Sequence, residues 1–154
     1  MASATEAQAQ GLGATRTKKR IGVVIVSMVV ALALWVVIDP ILGVELRSPA
    51  TGSRASEEVT AAHVLIASGF TALLGWGSLA LLERVATRAR RIWAVVATLA
   101  LILSLTGPLS GSGISAGNRT SLLLMHLAVG VILISGMLRT TSPPVGTKPG
   151  ETGQ

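Results

Sequence analysis

The chain has 154 residues, of which 50% are apolar and 13% charged, with a net charge of +6 and no cysteine; its mean hydropathy is +0.66. A soluble domain carries about 25% charged residues, so the composition excludes an ordinary water-soluble fold. The missing cysteine excludes disulfides, thiolate metal sites, iron–sulfur clusters, thioether-linked haem and a cysteine nucleophile.

Residues 1–20 read as a disordered basic tail: Ala, Thr, Gln and Gly without apolar periodicity, then Arg16, Lys18, Lys19 and Arg20. Four apolar runs follow, over about 21–38, 59–82, 92–109 and 121–138. A spanning helix needs roughly 20 apolar residues at 1.5 Å rise each, so each run fits one crossing. The predicted fold is all-α, a four-helix transmembrane domain over 21–139 in an up-down-up-down bundle. Ala31-Leu32-Ala33 resembles a signal-peptidase site, but the run continues through Leu34-Trp35-Val36-Val37-Ile38 and is long enough to anchor.

The connection after the first run holds Pro40, Gly43, Pro49 and Gly52 and reads as an irregular loop. The second connection is short and carries Glu83 among Arg84, Arg88, Arg90 and Arg91, an interfacial ion-pair cluster. Trp93 then falls at that interface, where indole is favoured. Gly107-Pro108 predicts a kink or an end to the third helix. The last connection is rich in Gly and Ser and includes Asn118-Arg119-Thr120, which fits the N-x-T acceptor pattern. Residues 140–154, with Pro143, Pro144 and Pro149, read as a second disordered tail.

Lys and Arg set the orientation. With both termini cytoplasmic, ten lie inside and three outside, namely Arg47, Arg54 and Arg119. The clusters Arg16, Lys18, Lys19, Arg20, Arg84, Arg88, Arg90 and Arg91 lie beside apolar spans, which points to anionic lipid headgroups of a plasma membrane rather than to nucleic acid.

Polar groups within a span are costly and therefore informative. His63 and His126 both fall roughly 6–8 Å below the outer ends of their runs, near Asp39, Glu57 and Glu58. Three readings of this outer cluster are open. The histidines hydrogen-bond and fix helix packing. Alternatively, the group handles protons or cations for a carrier. In the third, His63 and His126 hold haem or a metal. No charged residue approaches the midplane, so a complete proton relay is missing, and no cofactor is predicted. The spacing of Ala67, Thr71 and Gly75, in line with His63, and of Gly130 in line with His126, predicts close helix contacts, within one chain or in a homo-oligomer.

The series Gly75-Trp76-Gly77, Leu81-Leu82-Glu83-Arg84, Arg91-Ile92-Trp93, Leu103-Ser104-Leu105-Thr106-Gly107-Pro108-Leu109 and Met125-His126-Leu127 resembles a family of small four-span actinobacterial membrane proteins. That family is catalogued as a domain of unknown function. The resemblance runs from about 21 to 139 and implies a four-helix plasma-membrane protein with no established activity, so no catalytic residue carries over. The family pattern does not include Asp39, Glu57 or Glu58. The expectation is a non-enzymatic structural or accessory membrane component, with a membrane-protein partner in prospect. A small-solute or proton-coupled carrier and a haem- or metal-binding redox protein are the alternatives.

Overall fold

The computed structural model describes residues 2–50, 53, 55–110 and 112–141. Its helices are α1 (Ala2–Val36), α2 (Ala61–Val85), α3 (Ala89–Ser104), α4 (Thr106–Ser110) and α5 (Ala116–Thr140). Four segments are long and apolar enough to cross a bilayer: Gly13–Ile41, Ala61–Val85, Ala89–Ser110 and Ala116–Thr140. At 22 to 29 residues they reach roughly 33–44 Å, against a hydrocarbon core of about 30 Å. Only 11–22% of their most apolar windows is buried. The rest, including Phe70, Leu73, Val95, Leu99 and Leu124, points outward, a surface that lipid solvates and water does not.

Helix α1 packs against α2 and α5, and α3 packs against the same two from the opposite corner; α2 and α5 also touch across the middle. Two apolar clusters fill the bundle. One, toward the chain ends, joins Val24, Ala72, Leu79, Trp93, Leu133 and Met137. The other, toward the long loop, joins Ala31, Ile38, Leu46, Val64, Leu122 and Met125.

Several expectations require correction. Helix begins at Ala2, where a disordered tail is expected. The stretch is rich in Ala, with two Gln and one Glu, which favour helix, and no proline precedes Pro40. At the other tail, α5 runs to Thr140; residues 142–154, with Lys148 and the three prolines, lie outside the described residues. The connection rich in Gly and Ser is half helical, because Ser115 caps α5 by accepting from Asn118 N–H.

Two prolines shape the helix ends. Pro40 has no N–H and sits in a π-helical turn, Val37–Ile41. There Leu42 N bonds to Val37 O at 3.0 Å, and Gly43 turns the chain at φ +67°. Pro108 cannot donate to Ser104 O, and α3 stops at Ser104 before a short turn resumes as α4.

The first connection is an ordered cap. Val59 N–H donates to Leu46 O and Ser48 N–H to Glu57 O, both at 2.7 Å. Arg47 and Glu58 form an antiparallel bridge, as do Ala50 and Ser112. Trp35 Nε1 donates to Val59 O at 2.7 Å, and the fully buried Leu46 plugs the mouth of the bundle.

Candidate functional site

Of the five groups expected to gather at the loop end, the two histidines and Glu57 are engaged locally. His63 is exposed and belongs to the first turn of α2. Its Nδ1 faces Thr60 Oγ1 at 3.1 Å, and Thr60 accepts from His63 N–H, so the pair forms a capping box. His126 is half-buried, and its Nδ1 lies 2.7 Å from Leu122 O on its own helix. Glu57 is exposed and engages its neighbours through its backbone. Among the described residues, no group of three His, Asp or Glu side chains is placed to hold a metal ion.

Asp39 and Glu58 do come together. With Glu45 and Arg47 they line a cavity of about 150 Å³. Asp39 Oδ2 also accepts from Leu46 N–H at 2.8 Å, which fixes the cap to the end of α1. A larger cavity of about 400 Å³ adjoins it through the shared Glu45 and Arg47, and is completed by Gly43, Gly113 and Asn118 among others. Arg47 donates from Nε to Ser56 Oγ at 3.4 Å and from Nη2 to Ser56 O at 3.3 Å. Sequence reading missed Glu45 and Arg47 here; their spacing around Leu46, which points inward, was the available signal.

Asn118 is 1% exposed. Its Nδ2 donates to Arg47 O at 3.0 Å, while Oδ1 has no partner. Because a carbonyl oxygen can only accept, this contact fixes which amide atom is the nitrogen. Buried and bonded, Asn118 of the Asn118-Arg119-Thr120 pattern is not accessible for modification in the folded chain.

The opposite end of the bundle holds a buried ion pair. Arg20 Nη2 meets Glu83 Oε1 at 2.6 Å, and Arg20 Nε donates to Thr140 Oγ1 at 3.1 Å. Helices α1, α2 and α5 are thereby tied together. Arg20 is 5% exposed and is therefore no lipid contact; Glu83 pairs with it rather than with the hinge arginines. Lys18, Lys19, Arg84, Arg88, Arg90, Arg91 and Arg139 remain exposed, and Arg16 is half-exposed.

Trp93 is likewise internal. It is 2% exposed, and its Nε1 donates to Gly75 O and Ser78 Oγ, each at 3.0 Å. Gly75 and Gly130 lie at helix contacts: a Cβ on Gly75 would touch Leu133 at 3.5 Å, and one on Gly130 would meet Leu101 Cδ1 at 2.5 Å. Ala67 and Thr71 are exposed, as is His63; the inward face of α2 is instead Val64, Ser68, Ala72 and Leu79. Gly136 lies at the α1–α5 contact, where a Cβ would meet Val23 Cγ1 at 2.8 Å.

Four spanning helices, apolar outward faces and a packed interior define a multi-pass helical membrane protein. The family model DUF6069, described as a family of unknown function, matches residues 12–143. The chain belongs to this family. No similar protein was found among curated sequences, and no similar fold among solved structures.

Proposed function

We propose that the protein is a non-enzymatic accessory component of the plasma membrane, with both termini in the cytoplasm. The observation that carries this reading is how its reactive side chains are used. His63 is engaged by Thr60, His126 by Leu122 O and Asp39 by Leu46 N–H, while apolar side chains fill the bundle at both ends. What remains outward is apolar helix surface for lipid or a partner helix and a basic end suited to anionic headgroups. The ten-to-three distribution of Lys and Arg supports the orientation.

A carrier is the second reading, and the cavity among Asp39, Glu45, Arg47 and Glu58 favours it. The two are separated by reconstitution. Proteoliposomes of an accessory protein dissipate a proton gradient no faster than empty vesicles; faster dissipation that disappears in Glu58→Gln establishes the carrier. The redox reading, with His63 and His126 as ligands, is tested on the same sample: a haem band or stoichiometric metal, lost in a His63→Ala/His126→Ala variant, establishes it. With neither flux nor cofactor, crosslinkers placed at Phe70 and Leu99 should join the protein to a defined membrane partner or to itself.

A further inference from the structure

Helices α2 and α3 meet at Trp93, which donates to Gly75 O and Ser78 Oγ, and they part toward the loop end. Thr71 precedes Gly75 by four residues and Ser78 by seven, so it shares their face of α2, and Ala67 continues that face by one turn. On α3, Ala100 and Ser104 follow Trp93 by seven and eleven residues and share its face. All four are nonetheless exposed. A cleft therefore opens sideways to lipid between the two helices.

His126 forms its floor. On α5, Leu133 packs at Gly75 of α2, and Gly130 abuts Leu101 of α3. His126 lies seven and four residues before them, on the face of α5 between those two helices. Its Nδ1 donates to Leu122 O at 2.7 Å, since a carbonyl oxygen only accepts. In the neutral ring Nε2 is then a bare acceptor, and among the described residues no donor reaches it. Thr71 Oγ1 likewise makes no bond among them, whereas Ser68, Ser78, Ser104 and Ser135 each bond back to their own helix. From the level of Gly75 and Leu133, Thr71 stands about 6 Å and His126 about 10 Å toward the loop end. Because α5 begins at Ala116, His126 lies about 15 Å along it, close to the bilayer centre and deeper than its apolar run suggests. Unmet polar groups are costly at that depth.

We propose that this cleft binds a neutral, lipid-soluble hydroxyl compound, a phenol or alcohol on an apolar body, whose O–H donates to His126 Nε2 and whose oxygen accepts from Thr71. A hydroxyl is donor and acceptor at once, whereas an ester or quinone carbonyl only accepts and leaves Nε2 unmet. A charged amphiphile is held at headgroup depth. A partner helix, about 10 Å across, is too wide for a cleft that narrows to the contact at Trp93.

The test uses the full chain in phosphatidylcholine nanodiscs with isotope-labelled histidine, where His63 and His126 give the only imidazole nitrogen signals. The probes are para-dodecylphenol and its methyl ether, which keeps the oxygen and the chain but has no O–H. The phenol should shift the His126 Nε2 resonance saturably and leave His63 in place; the ether should do neither. Thr71→Val should weaken phenol binding about fivefold, the loss of one neutral hydrogen bond. Ala67→Leu, an exposed change that fills the cleft, should abolish binding without moving the unfolding curve. Equal responses to phenol and ether, a His126 signal unmoved by the phenol, unchanged affinity in Thr71→Val, or binding that survives Ala67→Leu overturns the proposal. So does an Nε2 that already accepts a hydrogen bond before any probe is added, the mark of trapped water.

Discussion

The ion pair between Arg20 and Glu83 joins residues 63 positions apart, and its removal should be among the most damaging polar changes in the protein. The side chains are 6% and 25% exposed and meet at 2.6 Å. Changing Glu83 to Gln leaves a guanidinium with almost no access to water. Orphaning one partner of a buried pair costs about 3–5 kcal/mol. Glu83 keeps some solvent contact and Arg20 Nε retains Thr140, so the lower end, about 3 kcal/mol, is expected. Replacing both residues with apolar ones, Arg20→Met with Glu83→Leu, removes the orphaned charge and should recover most of that loss. The assay is reversible unfolding in mixed micelles with increasing sodium dodecyl sulfate, followed by tryptophan fluorescence, to which the buried Trp93 contributes. A Glu83→Gln variant within about 0.5 kcal/mol of the parent would refute the reasoning. So would a double variant as unstable as the sum of its singles.

Three further changes test the packing. Gly136→Ala forces a methyl group against Val23 Cγ1, which is stiff in a helix; overpacking of about 1–3 kcal/mol outweighs a helix-propensity gain of about 1, and Val23→Ala in the same chain should restore stability on the unfolding curve. Gly77→Ala, where a Cβ meets nothing within 4 Å, should stabilise by up to about 1 kcal/mol in the same experiment. Leu46→Ala empties the fully buried plug of the loop cap and should cost about 2–5 kcal/mol, with faster hydrogen exchange at Val59 N–H, which bonds to Leu46 O, as the local readout.

The four spans were legible because an apolar run long enough to cross a bilayer fixes its own solvent. Their ends were less so. Helix α5 starts at Ala116 rather than near Ser121 because Ser115 supplies a cap, and α1 extends to Ala2 on helix-favouring residues. The inward face of each helix was the weakest inference. In lipid, the outward face is as apolar as the inward one, so periodicity has no polar side to mark. Ala67 and Thr71 thus looked as suitable for packing as Ser68 and Ala72, yet only the latter pair is buried. The partners of Arg20, Trp93 and Asn118 depend on long-range geometry that spacing alone does not encode. Asp39 and Glu58 were found by depth, while Glu45 and Arg47 join them only because the loop folds back on itself.

The most direct test of the account is a topology measurement, and a chain without cysteine is ready for it. Single cysteines at Lys18, Arg90 and Arg139 probe one end of the bundle; cysteines at Glu57 and Ala116 probe the other. All five positions are exposed. In intact cells, a membrane-impermeant maleimide should label the Glu57 and Ala116 positions, and should reach the other three only after the membrane is opened. Labelling of Lys18 and Arg139 from opposite sides would contradict four crossings; the reverse pattern at all five would contradict cytoplasmic termini.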